Sequence, residues 1–212
     1  MTKRILKKLK EVGEKDPETY GQFWREFGHI LKEGTQEDSK SKELITSLLR
    51  FRTTTSEGEL RSLAQVHADM AEGQEHIWFF ANVDKARIER SPVLEGFKKR
   101  GWEVLLMDEP VDEWVVMAIE EYEGIKLQSV TKGELPDESS EEEDPIAEAA
   151  KEQARPLVGW LGSLLDEEVA EVRMSNRLTD SPSVLVDQEG AMGANLERIL
   201  AAANQSAPNQ KR

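Results

Sequence analysis

Hydrophobic positions follow a helical period through most of the first fifty residues, then give way to short continuous apolar runs separated by further helical patterns. Ile5, Leu9 and Val12 share one helical face, with Lys3, Arg4, Lys7, Lys8 and Lys10 on the others. Asp16 followed by Pro17 predicts an N-cap with proline at the first helical position. The helix it opens carries Tyr20, Phe23, Trp24, Phe27, Ile30 and Leu31 on one broad apolar face, and Gly34 is expected to end it. A helix over 41–50 turns Leu44, Ile45, Leu48 and Leu49 inward. Ser56 and Glu59 read as a capping box for a helix holding Leu60, Leu63, Val66 and Met70. HIWFFA (76–81) predicts a buried strand, and Ser91 before Pro92 opens a helix with Val93, Leu94 and Phe97. Gly101 precedes a second buried strand over 103–107; a short helix over 111–118 and a third strand over 126–130 follow. Strands alternating with helices predict an α/β (α+β) fold whose first unit is a three-layer αβα arrangement with a mainly parallel sheet.

Residues 134–144, ELPDESSEEED, contain seven acidic side chains and no basic one. Such a stretch cannot build a core and predicts an exposed acidic linker, dividing the chain into 1–133 and 145–212. The second unit is expected to be smaller and mixed α/β. Asp144 and Pro145 open a long helix with Ile146, Ala150, Ala154, Leu157, Leu161 and Leu164 at helical spacing. Pro156 should kink or divide it, since an interior proline costs about 3 kcal/mol. Short strands are predicted over 169–174 and 183–186, joined across a polar turn at 176–182. An amphipathic helix follows over 191–203, then a frayed polar tail over 204–212.

Composition narrows the function classes. A net charge of −14 argues against nucleic acid, which demands Lys and Arg to neutralise phosphates. The basic helix near the N-terminus has two readings, a solvated face over a buried stripe or an anionic docking site. No apolar run reaches the roughly 20 residues of a membrane span, and MTKRILKKLK has no secretory h-region, so a cytoplasmic protein is expected. The absence of cysteine excludes disulfides and thiolate metal sites and fits a reducing compartment. His29, His67 and His76 are far apart and lack metal-ligand spacing. The sequence shows no glycine-rich phosphate loop, nucleophile elbow or calcium loop. With 42 acidic residues, pairs such as Asp112–Glu113 arise by chance and do not announce acid–base catalysis.

Several stretches resemble the heat-shock-protein-90 family, in its bacterial HtpG-like form. They are KRILKKLKEV, QFWREFGHILKEG, LLRFRTTTSEGELRSLAQV, MAEGQEHIWFF, SPVLEGFKKRGWEVLLMDEPVDEWVV and VRMSNRLTDSPSVLV, running in family order over nearly the whole chain. The resemblance implies that 1–133 is the distal middle domain and 145–212 the first part of the C-terminal domain. It implies that the nucleotide-binding domain, with its ATP and magnesium, and the final dimerisation helices belong to a longer parent. That parent would be a homodimeric ATPase, and this chain a non-enzymatic, monomeric or weakly associating piece. The family's surfaces for unfolded clients map onto Asp112, Glu113 and Trp114, and onto Met192, Leu196, Ile199 and Leu200 of the amphipathic helix. Periodicity alone reads Trp114 and that helix stripe as core, so the resemblance and the residue pattern pull in different directions. Two other readings stand beside a client-holding segment: an orphan α/β enzyme with an unrecognised site, and a purely structural interdomain scaffold.

Overall fold

Helix α1 (Thr2–Lys15) and helix α2 (Pro17–Glu37) are separated by Asp16 alone. Asp16 accepts hydrogen bonds from the Thr19 amide at 3.0 Å and the Thr19 hydroxyl at 2.7 Å, the N-cap that the sequence predicts. The computed structural model describes residues 2–82, 84–132, 135, 145–188 and 193–202. It is rotated from expectation at α1: Leu6 is buried and Ile5 stands 55% exposed. Two adjacent aliphatics allow either face to turn inward, and packing against α2 and α3 (Lys42–Leu48) selects Leu6. In α2 the buried side is Tyr20, Trp24, Gly28, Leu31, Lys32 and Thr35, while Phe27 and Ile30 face solvent. The predicted apolar face is therefore wider than the buried one. Gly34 does not end α2; the helix continues to Glu37 and caps at Asp38, whose amide donates to the Gly34 carbonyl at 3.1 Å.

Helix α4 (Leu63–Ala68) does carry a capping box, but it is built from Ser62 and Gln65. Ser56 and Glu59, the predicted pair, instead close a turn by a 2.8 Å backbone bond. Both pairs have the same spacing; Ser62 wins because it places Leu63 and Val66 in the core.

The sheet runs β1-β3-β2-β5-β4. Its centre is parallel: β2 (Ile77–Ala81) lies between β3 (Val104–Met107) and β5 (Ile125–Ser129), with Phe79 opposite both Leu105 and Ser129. Its edges are antiparallel two-residue strands, β1 (Arg52–Thr53) beside β3 and β4 (Glu121–Tyr122) beside β5. The parallel core follows the expectation; the edge strands are too short to leave a periodic signal and make the sheet mixed. Ile77, Phe79, Leu105 and Met107 face the cluster shared with α1–α4. On the other face Trp78 and Phe80 are also buried, and Trp78 stacks on Trp102 with ring centroids 6.2 Å apart. Short helices α5 (Lys85–Glu89), α6 (Glu95–Arg100) and α7 (Asp112–Ala118) follow the strands. Gly101 ends α6 at φ 69°, the left-handed conformation its position requires.

The FRTTTSEGELRSL stretch has a structural task. Thr53, Thr55 and Arg61 all donate to Glu103 Oε1, at 2.5, 3.0 and 3.1 Å, so one buried carboxylate satisfies three side chains. Arg61 also pairs with Asp69, and Arg52 with Asp108.

Chain contacts group Met1–Arg90 with Arg100–Val130, and Ser91–Lys99 with Thr131–Arg212. Most of the acidic segment lies outside the described residues, but Leu135 at its start is fully buried. One leucine among acidic neighbours is invisible to composition. Helix α8 (Pro145–Leu164) runs through Pro156 without a break. Pro156 is exposed, which leaves solvent to serve the carbonyl that loses its donor. Of the predicted apolar stripe of α8, Ala150, Leu157 and Leu164 are exposed, as is Trp160 outside it. Residues 169–174 and 183–186 form no strand among the described residues. The Val169 amide donates to the Leu165 carbonyl instead, at 2.9 Å. Helix α9 spans Ala194–Ala202; residues 191, 192 and 203 of the predicted 191–203 lie outside the described residues.

One carboxylate binds the middle of the NRLTDSP segment. Glu95 accepts bonds from the backbone amides of Thr179, Asp180 and Ser181 and from the Ser181 hydroxyl, at 2.7, 3.0, 3.3 and 2.5 Å. Those donors, led by the Asp180 amide and the Ser181 hydroxyl, lower the Glu95 pKa from 4.5 to about 2. A depressed carboxyl pKa stabilises the fold above the unfolded value, and the contribution is lost as pH falls through the folded one. Amide exchange at residues 179–181 should therefore be slow above pH 4.5 and accelerate as pH approaches about 2. Glu95→Gln should make exchange fast at neutral pH; unchanged protection in that variant would refute the arrangement.

Candidate functional site

Helix α7 is seven residues long, too short to persist without tertiary anchors. Its anchors come from α2. Lys32 is almost wholly buried, with Nζ 2.7 Å from Asp112 Oδ1 and 3.4 Å from Glu109 Oε2. Its ammonium also lies 5.9 Å from the Trp24 ring centroid and 5.6 Å from that of Phe51. Asp112 is 0% exposed, and its Oδ2 accepts the Glu109 amide at 3.0 Å, closing the turn into α7. Burial, the largest influence, pushes the Asp112 carboxyl above its ordinary pKa against the pull of Lys32. One turn along α2, Gln36 Nε2 donates to the Trp114 carbonyl at 2.7 Å.

The three adjacent positions from sequence thus separate. Asp112 and Glu113 are buried with Val115. Trp114 alone faces out, 39% exposed, and a turn later Met117 is 55% exposed. Asp112 fixes α7; it does not form its surface. Sequence reasoning missed Lys32 and Gln36, whose roles depend on a partner some eighty residues away. It also missed Met117, which a count of three from Trp114 could have found.

The second set lies on α9, in the other unit. Leu196, Ile199 and Leu200 are half-buried, whereas the polar Asn195 is buried. Met192 lies outside the described residues. The stripe is neither a free surface nor a closed core.

Among the described residues, a depression of about 160 Å³ lies in the second unit beside Gly162, Asp166 and Val169. Ligand sites commonly enclose about 300–1,000 Å³. Asp112, the carboxyl with the raised pKa, is sealed from solvent. Among the described residues no helix is long and apolar enough to cross a membrane.

A family model described as Hsp90 protein matches residues 1–212. The chain belongs to the Hsp90 family. Two Hsp90-family relatives are each named chaperone protein HtpG. That of Geobacter sulfurreducens is 42% identical over 216 residues, covering 100% of this chain and 33% of the relative. That of Legionella pneumophila strain Philadelphia 1 is 43% identical over 212 residues, covering 99% of this chain and 34% of the relative. The chain spans about a third of the length of these curated relatives. Among solved structures, the middle domain of a Plasmodium falciparum heat shock protein aligns with a TM-score of 0.57 and 30% identity, covering 62% of this chain and 57% of that one. The mixed α/β fold is thus an Hsp90-family fold, and the resemblance carried by the quoted motifs holds over the whole chain.

Proposed function

We propose that this chain is a client-holding segment of an ATP-dependent cytoplasmic chaperone, with no chemistry of its own. Residues 1–133 would be the distal middle domain and 145–212 the first part of the C-terminal domain. ATP, magnesium and the homodimer interface are assigned to other parts of the full-length protein. The reading is supported by Hsp90-family membership, and one observation carries it: Trp114 stands exposed on a short helix pinned from below by buried charge. Rigid presentation of a large aromatic suits weak apolar capture, because little entropy is lost on contact. Leu196, Ile199 and Leu200 supply a second, shallower apolar contact. Their half-burial and the inward Asn195 favour the scaffold reading at α9 more than at α7.

The test uses a soluble, permanently unfolded protein as client. Trp114→Ala should weaken its binding about tenfold, as loss of an aromatic hot spot does, while unfolding stability changes by less than about 1 kcal/mol. Unchanged affinity would reject the α7 surface. Leu196→Ser/Leu200→Ser should weaken binding and lower stability together by about 1–3 kcal/mol; lost stability with intact affinity would assign α9 to scaffold alone. Calorimetric titration with Mg-ATP should give no saturable micromolar isotherm, and one that appears would place nucleotide chemistry within this chain.

A further inference from the structure

Helix α7 turns Asp112, Val115 and Ile119 inward and leaves Trp114 and Met117 outward. Three residues apart on a helix, these two side chains sit about 60° apart around the axis and about 4.5 Å along it, so they form one apolar step. Methionine beside a rigid indole adds adaptable area, which suits many different apolar residues. The chain segment that carries them is one-sided in charge. From Asp108 to Gly124 the chain holds seven acidic residues and no basic one. Four of the seven are accounted for internally: Asp108 pairs with Arg52 and Lys85, Glu109 and Asp112 with Lys32, and Glu113 is buried. Glu121 stands opposite Lys126 in the β4–β5 register. Glu120 and Glu123 remain, both exposed, just past the end of α7. Glu123 makes itself felt locally: after burial, its charge is the second cause raising the Tyr122 pKa.

We propose that Trp114 and Met117, with Glu120 and Glu123 beyond them, take an extended peptide segment in which a large apolar residue is followed by lysine or arginine. The proposal rests on the client-surface reading of Trp114 and adds a charge preference to it. An apolar step alone accepts any apolar residue; exposed carboxylates past one end favour cations there and repel acidic flanks. Such selection works at the rim and is screened by salt.

Two short labelled peptides of identical apolar content, one with lysine flanks and one with glutamate flanks, are titrated against the whole chain by fluorescence anisotropy. The lysine-flanked peptide should bind roughly fivefold tighter at about 0.05 M salt, and the gap should close near about 0.5 M. Glu120→Gln/Glu123→Gln should abolish the gap, and Met117→Ser should weaken both peptides by a similar factor of roughly three. Equal affinities at low salt, or a gap that survives in the Gln variant, would overturn the proposal. Persistence in that variant would trace the preference to the overall charge of −14. Trp114→Ala separates the two levels. If it leaves both affinities unchanged, the client-surface reading itself fails. If it weakens binding while the Met117 and Glu variants do not, only the charge preference and the extended step fail.

Discussion

Replacing Lys32 with methionine should lower unfolding stability by about 3–5 kcal/mol, the cost of leaving a buried carboxylate without its partner. Asp112 is fully buried and Lys32 nearly so; methionine keeps the length and apolar stem of lysine but not its charge. The substitution also removes the cation from between Trp24 and Phe51. Glu109 adds little to the loss because its side chain is about half exposed and can turn to solvent. Asp112 already has a raised pKa, so protonation is its route of relief. A raised carboxyl pKa contributes stability that is present below the unfolded value and lost as pH rises through the folded one. The deficit of Lys32→Met should therefore shrink as pH is lowered toward 3.8, Asp112's ordinary value. Lys32→Met/Asp112→Leu should recover most of the loss, since an apolar pair of similar volume is often neutral relative to a buried ion pair. Urea midpoints of the two variants decide the matter; a single-variant loss below about 1 kcal/mol would mean the charges are not coupled as described.

Leu105→Ala should cost about 2–5 kcal/mol. Leu105 is fully buried on the middle of β3, opposite Phe79 of β2 and Thr53 of β1, and belongs to the cluster that α1–α4 cover. Strand neighbours on both sides fix the backbone, so the space left by the lost carbons cannot collapse. Leu105→Met, which keeps the volume, should cost less than about 1.5 kcal/mol. Ile5→Ala, on the exposed side of α1, should stay within about 0.5 kcal/mol and serves as the contrast. If Ile5→Ala proves as costly as Leu105→Ala, the rotation of α1 described above is wrong.

That rotation shows where sequence reading reaches its limit. The N-cap at Asp16, the helix end at Gly101 and the three central strands were legible because each is encoded within a few neighbouring residues. Choices between near-equivalent local patterns were not. Ile5 against Leu6, and Ser56–Glu59 against Ser62–Gln65, are settled by which option buries more apolar surface in the assembled core. The predicted strands after α8 failed for a related reason, since a strand is a pairing and propensity does not supply the partner. At the candidate site, Trp114 was legible from the resemblance alone. That Asp112 lies beneath it follows from Lys32, a lysine whose burial nothing in its local sequence announces.

The sheet's edges bear on how an unfolded chain can be handled at all. β1 and β4 are two residues long each, so an incoming extended segment finds almost no row of unpaired backbone groups to lengthen. Strand addition, which would hold a guest through its main chain whatever its side chains, finds little to extend along the described edges of this sheet. On the client-holding reading proposed above, a guest meeting the first unit would be left with side-chain contact at places such as α7. Contacts of that kind break one at a time, favouring short residence and release without growth of a mixed sheet between host and guest.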